Sequence, residues 1–244
     1  QHTRRRRQRQ MCIRDRVDET PPLFAAAARA MSESGDWLTP KVNGIFRFDK
    51  PPLIYWLMGF FYSLPKNEIW DSFGTLSARL PSALASLFLM LMIGDTLFCW
   101  PQKSDRQFLT PIVASLGFAL SPLIIIWSRT AVSDALLTGT LGISLLLFWR
   151  RMASENNDQC ISAWVFLGFA ILVKGPVAFV LALLTITSFL FCQKNWKTLL
   201  SKINPKKGFL ITTLISVPWY ILELLKEGKP FWDNFFGYHN FQRY

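Results

Sequence analysis

The chain has 244 residues, of which 51% are hydrophobic and 15% are aromatic. This composition is typical of an integral membrane protein, because a soluble globular protein needs more charge to cover its surface. The formal net charge of +11 does not indicate a nucleic-acid partner, since residues 1–16 alone, with seven arginines and one aspartate, contribute +6 of it.

Residues 1–16 are interpreted as a non-native leader. The run 11–16 is what the adapter at transposon ends in sequencing libraries encodes, so the leader is excluded from the fold prediction, as a tag would be. The alternative is a genuine basic arm that binds nucleic acid or anionic lipid, but no aromatic or folded module accompanies it. The natural chain is then expected to continue upstream of Val17 and beyond Tyr244.

Residues 17–79 are predicted to form a polar loop beside the membrane, with juxtamembrane helices. An alanine-rich helical pattern covers residues 24–31. The apolar run 53–64 has only twelve residues, so it is predicted to be an interfacial helix rather than a span. Its aromatic residues, among them Tyr55 and Tyr62, are expected at the depth of the lipid headgroups.

Residues 80–225 are predicted to contain about six transmembrane helices. Most of the apolar runs approach the ~20 residues that cross a hydrocarbon core; they are 80–99, 109–127, 131–149, 161–173, 176–192 and 208–225. Residues 161–192 would also fit one overlong helix. A break at Gly175-Pro176 is predicted instead, because it brings the basic loops to one face, as expected of a cytoplasmic side; these loops are 101–108, 150–160 and 193–207.

The opposite face then carries the polar groups, including the loop 17–79 and the start of a final loop at 226–244. Asp18 and Glu19 open the first loop as a candidate general base or ligand, with capping of the next helix as the alternative. The pair Asp49-Lys50 precedes two prolines that fix an extended corner. The corner would hold Lys50 at a defined height over the membrane, where it could bind a phosphate at the level of the lipid headgroups. The alternative is that Lys50 only extends its charge to the membrane surface or is attracted to anionic lipid.

Further charged residues are candidates on the same face. Asp134 lies four residues into a predicted span, where an ionisable group is costly, and Arg129 is its nearest predicted partner. A structural Arg–Asp clamp is the alternative. Lys174, at the predicted break, either contacts phosphate or ends a helix. His239 is a candidate metal ligand or phosphate donor and Arg243 a bidentate phosphate ligand, although a lone histidine is usually neither.

An ordered series of motifs resembles one family, the bacterial lipid-carrier-dependent glycosyltransferases. These are the lipid A aminoarabinose transferases and their relatives in the protein O-mannosyltransferase superfamily, and the likeness is to their N-terminal half. Residues 21–24 depart from the family's usual Arg-Tyr-Ala, and the first span and C-terminal half are not represented. The motifs are Asp18-Glu19-Thr20, ARAMSESGDWLTP (28–40), Asn43-Gly44, DKPPLIYWL (49–57), ARLPSAL (78–84), Lys174-Gly175-Pro176 and HNFQR (239–243).

The resemblance implies a GT-C fold, an all-α polytopic transmembrane bundle of the bacterial inner membrane with its active site facing the periplasm. It also implies transfer of a sugar from a polyprenyl-phosphate carrier to a lipid, glycan or protein acceptor, as in lipid A modification or protein O-mannosylation. Carried over by position, Asp18 resembles the first-loop acid, Lys50 the carrier-phosphate ligand and Asp134 the second-loop acid.

The expected chemistry agrees with these residue types. Basic side chains would stabilise the departing polyprenyl phosphate, and an acid would take the acceptor's proton; the basic candidates are Lys50, Lys174, Arg243 and Arg129, and the acids are Asp18, Glu19 and Asp134. Asp49 stands where many relatives have Glu, a site tied to acceptor or metal contact. Binding of a divalent metal by Asp49, Asp18 or His239 is therefore an open alternative, and these ligand types do not identify the ion.

The alternative function is a transporter or channel fragment in which Asp134 and Lys174 line a solute path. That function predicts polar residues spread along the spans toward the midplane, whereas here they gather on one face. With about half of the bundle missing, the chain itself is expected to be inactive.

Overall fold

The structure, a computed structural model, describes residues 20–65, 70–71, 73–99, 108–153, 159–235 and 237. Asp18, Glu19, His239 and Arg243 lie outside the described residues. Within the described part, the chain is helical apart from one short hairpin. Its elements in order are α1 (Thr20–Ser34), β1 (Lys41–Val42), β2 (Ile45–Phe46), α2 (Leu53–Ser63), α3 (Thr75–Cys99), α4 (Leu109–Ala119), α5 (Pro122–Arg129), α6 (Ser133–Ala153), α7 (Gln159–Lys174), α8 (Pro176–Phe191), α9 (Trp196–Lys202), α10 (Pro205–Glu227) and α11 (Lys229–Trp232).

The described residues fall into two compact units. The first is drawn from the described residues within 20–84, 126–133 and 219–237, and the second from those within 85–125 and 134–218. Each unit therefore combines segments that are distant in sequence.

The first unit is built on the packing of α1 against α2. The alanine-rich run folds as the predicted helix, and it buries Phe24, Ala28 and Met31. The Phe24 ring meets the ring of Tyr55 on α2 with 5.5 Å between centroids. Small alanine side chains let the two helices approach closely, so the aromatic rings fill the space between them.

Helix α2 has 11 residues, so it is too short to cross a bilayer, as predicted. Its two tyrosines are buried in the protein, which differs from the expected position at headgroup depth. Tyr55 is fully buried, and the buried Tyr62 hydroxyl donates to the carbonyl of Gly74 at 2.6 Å. Both rings are therefore part of the packing of the first unit.

A two-stranded antiparallel hairpin follows α1, with Val42 paired to Ile45. Asn43 and Gly44 join the strands with positive φ angles of 53° and 82°. An Asn-Gly pair is a strong hairpin signal, because the tight turn that suits twisted strands needs positive φ at both central residues. The all-α prediction did not include this small element.

The second unit has a core in which Phe148 of α6 meets Trp164 of α7 edge to face at 4.8 Å. Glycines let α6 pack closely on α3, since a Cβ atom at Gly139 would come within 2.7 Å of Ala85. The Ser144 hydroxyl donates to the carbonyl of Ala163 at 2.8 Å and joins α6 to α7. Small residues and hydroxyl hydrogen bonds of this kind are typical of helix contacts in membranes.

Among the described residues, two helices, α3 and α10, are long and apolar enough to cross a membrane. Helices α4 and α5 make a third span if they are counted together despite the 60° bend between them. Helices α7 and α8 have 16 residues each and meet at Gly175, whose φ is +75°. The predicted break at Gly175-Pro176 is therefore confirmed, while the count of about six crossings stays a prediction.

The predicted span 109–127 is not a straight helix. Helix α4 ends at Ala119, and α5 begins at Pro122 after a bend of 60°. Proline lacks the amide hydrogen that would continue the helical hydrogen bonds, and its ring disfavours helical backbone at the preceding residue. Pro122 could therefore have predicted this bend, but the prediction of one span was based on the hydropathy of the run.

Arg150 and Arg151 were counted among the basic loop residues, but both lie in the last turn of α6 and are buried. Arg150 pairs with Asp95 of α3 at 2.7 Å and donates from Nε to the Thr96 hydroxyl at 2.9 Å. Arg151 donates from Nε to the carbonyl of Lys202 at 3.0 Å. The two arginines therefore tie α6 to its neighbours in the second unit.

Candidate active site

The corner that carries Asp49 and Lys50 lies in the first unit, between β2 and α2. Pro51 and Pro52 are buried, and Lys50 is half-buried beside them. The carbonyl of Pro52 accepts the first backbone hydrogen bond of α2, from the amide of Trp56 at 2.9 Å. The proline pair and the helix start therefore constrain the backbone next to Lys50. The corner is not fully extended as predicted, because Pro52 has helical angles, φ −80° and ψ −17°.

Asp49 is held by two side chains, Arg47 and Tyr55. Arg47 Nη2 pairs with Asp49 Oδ2 at 2.8 Å, and the Tyr55 hydroxyl donates to Asp49 Oδ1 at 3.1 Å. Arg47 Nε in turn donates to the Tyr55 hydroxyl oxygen at 3.2 Å. These three bonds close a ring of charge-assisted contacts that orients the Asp49 carboxylate.

The surroundings of this ring favour the protonated forms of Arg47 and Tyr55. Burial, together with the nearby Asp49 charge, raises the pKa of Tyr55 well above its usual range. Burial alone would lower the pKa of Arg47, but the adjacent Tyr55 and Asp49 oxygens outweigh it and raise that pKa. Tyr55 therefore remains a hydroxyl donor and Arg47 a cation at any physiological pH.

Phe48 anchors the corner to the C-terminal part of the first unit. This ring is buried and meets Phe231 of α11 edge to face at 5.4 Å. Phe231 also contacts Trp219 of α10 at 5.6 Å and Phe235 at 5.5 Å. Phe48 stands between Arg47 and Asp49 in the chain. Its packing in this aromatic cluster therefore restrains the backbone that carries both charged residues.

The turn after α1 is joined to the end of α10 by polar contacts. Trp219 Nε1 donates to the carbonyl of Leu38 at 3.1 Å, and Lys226 pairs with Asp36 at 3.0 Å. Lys41 also pairs with Asp36, at 3.2 Å. Although desolvation opposes ionisation, hydrogen bonds from both lysines and from two backbone amides lower the pKa of Asp36 to about 2.

Glu223 is fully buried beside this turn, near the end of α10. Its Oε2 atom accepts a hydrogen bond from the Thr39 hydroxyl at 3.1 Å. Among the described residues, its Oε1 atom has no hydrogen-bond partner. A buried carboxyl oxygen without a hydrogen-bond partner lowers the free energy of unfolding. Glu223 therefore joins α10 to the turn through Thr39 but destabilises the fold through its Oε1 atom.

In the second unit, the structure joins Asp134 to Lys174. Asp134 lies in the first turn of α6 and Lys174 is the last residue of α7, and their side chains form an ion pair. An acid in a first turn and a base in a last turn both interact favourably with the helix dipoles. The predicted nearest partner of Asp134 was Arg129, in the last turn of α5, and that prediction is wrong, since Lys174 pairs with Asp134 instead.

The proposed metal ligands are only partly described. Within the described residues, no group of three His, Cys, Asp or Glu side chains gathers that could hold a metal ion. Both oxygens of Asp49 already accept hydrogen bonds, and His239 lies outside the described residues. A metal at Asp49 would therefore need further ligands from outside the described residues, which by themselves do not make up a metal site.

Sequence reasoning missed several residues of the first unit. Arg47 and Asp49 are two positions apart. In extended backbone, side chains at this spacing lie on the same side, so their pairing could have been predicted from the local sequence. The contacts of Asp36 with Lys226 and of Thr39 with Glu223 had none. They join residues 190 and 184 positions apart, and only the packing of α10 reveals them.

Residues 49–222 match the family model of the dolichyl-phosphate-mannose-protein mannosyltransferases. The chain belongs to this family. The match begins at Asp49, the first residue of the Asp49-Lys50 corner, and it includes both Asp134 and Lys174.

Curated relatives extend the match over most of the chain. The chain is 26% identical over 231 residues to undecaprenyl phosphate-alpha-4-amino-4-deoxy-L-arabinose arabinosyl transferase 2 of Pseudomonas fluorescens, covering 93% of this chain and 39% of the relative. The corresponding transferase of Erwinia tasmaniensis is 26% identical, covering 91% of this chain and 38% of the relative. The chain thus spans about two fifths of the length of these relatives.

Solved structures show the same fold. Crystal structures of ArnT from Cupriavidus metallidurans match with TM-scores of 0.75 in the apo state and 0.79 bound to undecaprenyl phosphate. They are 23% and 24% identical in sequence, covering 88% and 91% of this chain and 38% and 39% of theirs. The predicted all-α GT-C membrane fold of this mannosyltransferase family member is therefore confirmed.

Proposed function

We propose that this chain forms the donor-binding part of a glycosyltransferase that moves a sugar from a polyprenyl-phosphate carrier to a lipid, glycan or protein acceptor. The observation that carries the proposal is the family match, which starts at the rigid corner holding Lys50. The arabinosyl transferase relatives and the ArnT complex are both named for undecaprenyl phosphate, which supports a polyprenyl-phosphate donor. The active site is proposed to face the periplasm.

Lys50 is proposed to stabilise the carrier phosphate as the sugar C1–O bond breaks. The carrier leaves as a phosphate anion, and a fixed ammonium group beside it lowers the energy of that charge. The Arg47–Asp49–Tyr55 ring orients the residue that precedes Lys50, so its role is positioning. Arg243 and Arg129 are retained as further proposed phosphate ligands.

The acid that accepts the proton of a hydroxyl acceptor is proposed to be Asp18, with Glu19 beside it, on the resemblance alone. Asp134 is paired with Lys174, so a phosphate contact by Lys174 would compete with this ion pair. Asp134 is therefore proposed to position Lys174 rather than to act as a free acid. A transporter is not favoured, because the family and the relatives carry transferase names.

The experiment uses the full-length parent protein in membranes, supplied with a labelled polyprenyl-phosphate sugar. Lys50→Ala should lower transfer by about 10²-fold or more, the usual loss when one stabilising donor is removed, while membrane insertion is unchanged. Lys229→Ala, an exposed lysine at the start of α11, is the matched control and should transfer normally. Normal transfer by Lys50→Ala would remove the proposed role. The 244-residue chain should show no transfer by itself.

A further inference from the structure

A basic surface lies in the second unit, far in sequence from the Asp49-Lys50 corner. Residues 193–207, which connect α8 to α10, contain five lysines and no acidic residue. We call these residues the lysine surface; they are Lys194, Lys197, Lys202, Lys206 and Lys207. All are exposed except Lys202, which is half-buried, and none pairs with a carboxylate of the described residues.

The lysine surface is held on a rigid support. Two carbonyls at the end of α9 accept hydrogen bonds from neighbouring helices. Arg151 Nε donates to Lys202 at 3.0 Å, and Trp164 Nε1 donates to the buried Ile203 at 2.9 Å. Gly208 then lets the start of α10 approach Trp164, since a Cβ atom there would overlap the indole ring. The backbone that carries the lysines is thus fixed against the core.

The lysine surface also stands at the end of a membrane-crossing helix. Helix α10 is long and apolar enough to span a bilayer, and Lys206 and Lys207 lie in its first turn. Exposed aromatic rings flank the lysines, namely Phe191, Trp196 and Phe209. Lysines beside exposed aromatic residues at a helix end are typical of the headgroup layer.

Helix stability does not explain these lysines. A positive charge in the first turn of a helix opposes the helix dipole, so Lys206 and Lys207 destabilise α10 unless an anion lies near them. Lys197 packs its ammonium group over the Trp196 ring at 5.6 Å, which leaves that charge at the surface. Several exposed cations, unpaired among the described residues, therefore lie at the start of the apolar helix α10.

We propose that the lysine surface binds the phosphate headgroups of anionic membrane lipids. The complementary charge is the argument for this partner, because clustered lysines next to a spanning helix attract anionic lipid through each added charge. This binding is independent of sugar transfer and would hold even if the proposed donor role of Lys50 failed.

Native mass spectrometry of the full chain in detergent tests the proposal, with phosphatidylglycerol and phosphatidylcholine offered in equal amounts. The wild-type protein should retain phosphatidylglycerol preferentially. A variant with Lys194→Gln, Lys197→Gln, Lys206→Gln and Lys207→Gln should lose about tenfold or more of that preference. The matched control with four Lys→Arg changes at the same positions keeps the charge and should keep the preference.

Thermal unfolding without added lipid should be cooperative in all three proteins, and the glutamine variant should be at least as stable as the wild type because it removes two cations from the first turn of α10. This result shows that the variants are folded. An unchanged preference in the glutamine variant would overturn the proposal. Equal loss of preference in the arginine variant would also overturn it, because charge would not be the cause. Displacement of the lipid by a short DNA duplex at equal phosphate concentration would assign the surface to nucleic acid instead.

Discussion

The ring formed by Arg47, Asp49 and Tyr55 gives a sharp prediction, because one oxygen atom connects its two charged members. Tyr55→Phe removes the hydroxyl that accepts from Arg47 at 3.2 Å and donates to Asp49 at 3.1 Å. Hydrogen bonds to charged groups contribute about 1.5–3 kcal/mol each. Arg47 and Asp49 keep their direct contact at 2.8 Å and are partly exposed, so the free energy of unfolding should fall by about 2 kcal/mol in total.

Tyr62→Phe is the matched control, since it makes the same chemical change in the same helix. Its hydroxyl donates to the carbonyl of Gly74 and also contacts the Arg29 side chain, so its loss should cost about 1–2 kcal/mol without touching the Asp49-Lys50 corner. In the full-length parent, Tyr55→Phe should also lower kcat/KM for the labelled donor about tenfold, because Asp49 and hence Lys50 lose their fixed orientation beside the departing phosphate. Tyr62→Phe should leave that kcat/KM unchanged.

The assay combines thermal unfolding in detergent with initial rates of transfer at varied donor concentration. Equal kcat/KM values for Tyr55→Phe and Tyr62→Phe would refute the positioning role, whatever the loss of stability.

Further predictions concern charge and backbone. Asp36 has a pKa of about 2 in the folded chain against an ordinary 3.8, so its stabilising effect is full above about pH 4 and is lost as the pH falls toward 2. Asp36→Asn should remove about 1 kcal/mol at pH 7, a value reduced for solvent exposure, and flatten acid unfolding over that range. A double-mutant cycle with Asp134→Asn and Lys174→Met should give a coupling energy of about 1 kcal/mol in thermal unfolding, whereas additive effects would contradict the ion pair. Gly175→Ala forces alanine into φ +75° and ψ −149° and should destabilise by about 1–3 kcal/mol. Gly117→Ala, in open space within α4, should cost nothing, and equal unfolding of the two alanine variants would refute the backbone argument.

Several features of the fold were predictable because their causes are local. Gly175 and Pro176 end one helix and begin the next through backbone geometry, and the loop charges on either side pointed to the same break. The short helix α2 followed from the length of its apolar run. The bend between α4 and α5 also has a local cause, Pro122. Hydropathy alone did not predict it, because the apolar run continues through the proline.

Other features depend on which helices pack together. Arg150 was predicted to lie in a basic loop, but it lies in the last turn of α6, where Asp95 and Thr96 of α3 contact it. Tyr55 looked like an interfacial aromatic residue, but α1 covers it and turns its hydroxyl toward Asp49. In both cases the burial of a polar group depends on a neighbour that is distant in sequence.

The sequence by itself determined the membrane class, the family motifs and the residues that can begin or end helices, because hydropathy, charge and backbone constraints act over a few residues. The tertiary structure alone decided the partners: Lys174 for Asp134, and Arg47 with Tyr55 for Asp49. The physical reason is that a buried charge takes the partner that helix packing brings within hydrogen-bond distance, and periodicity along one segment does not specify that neighbour.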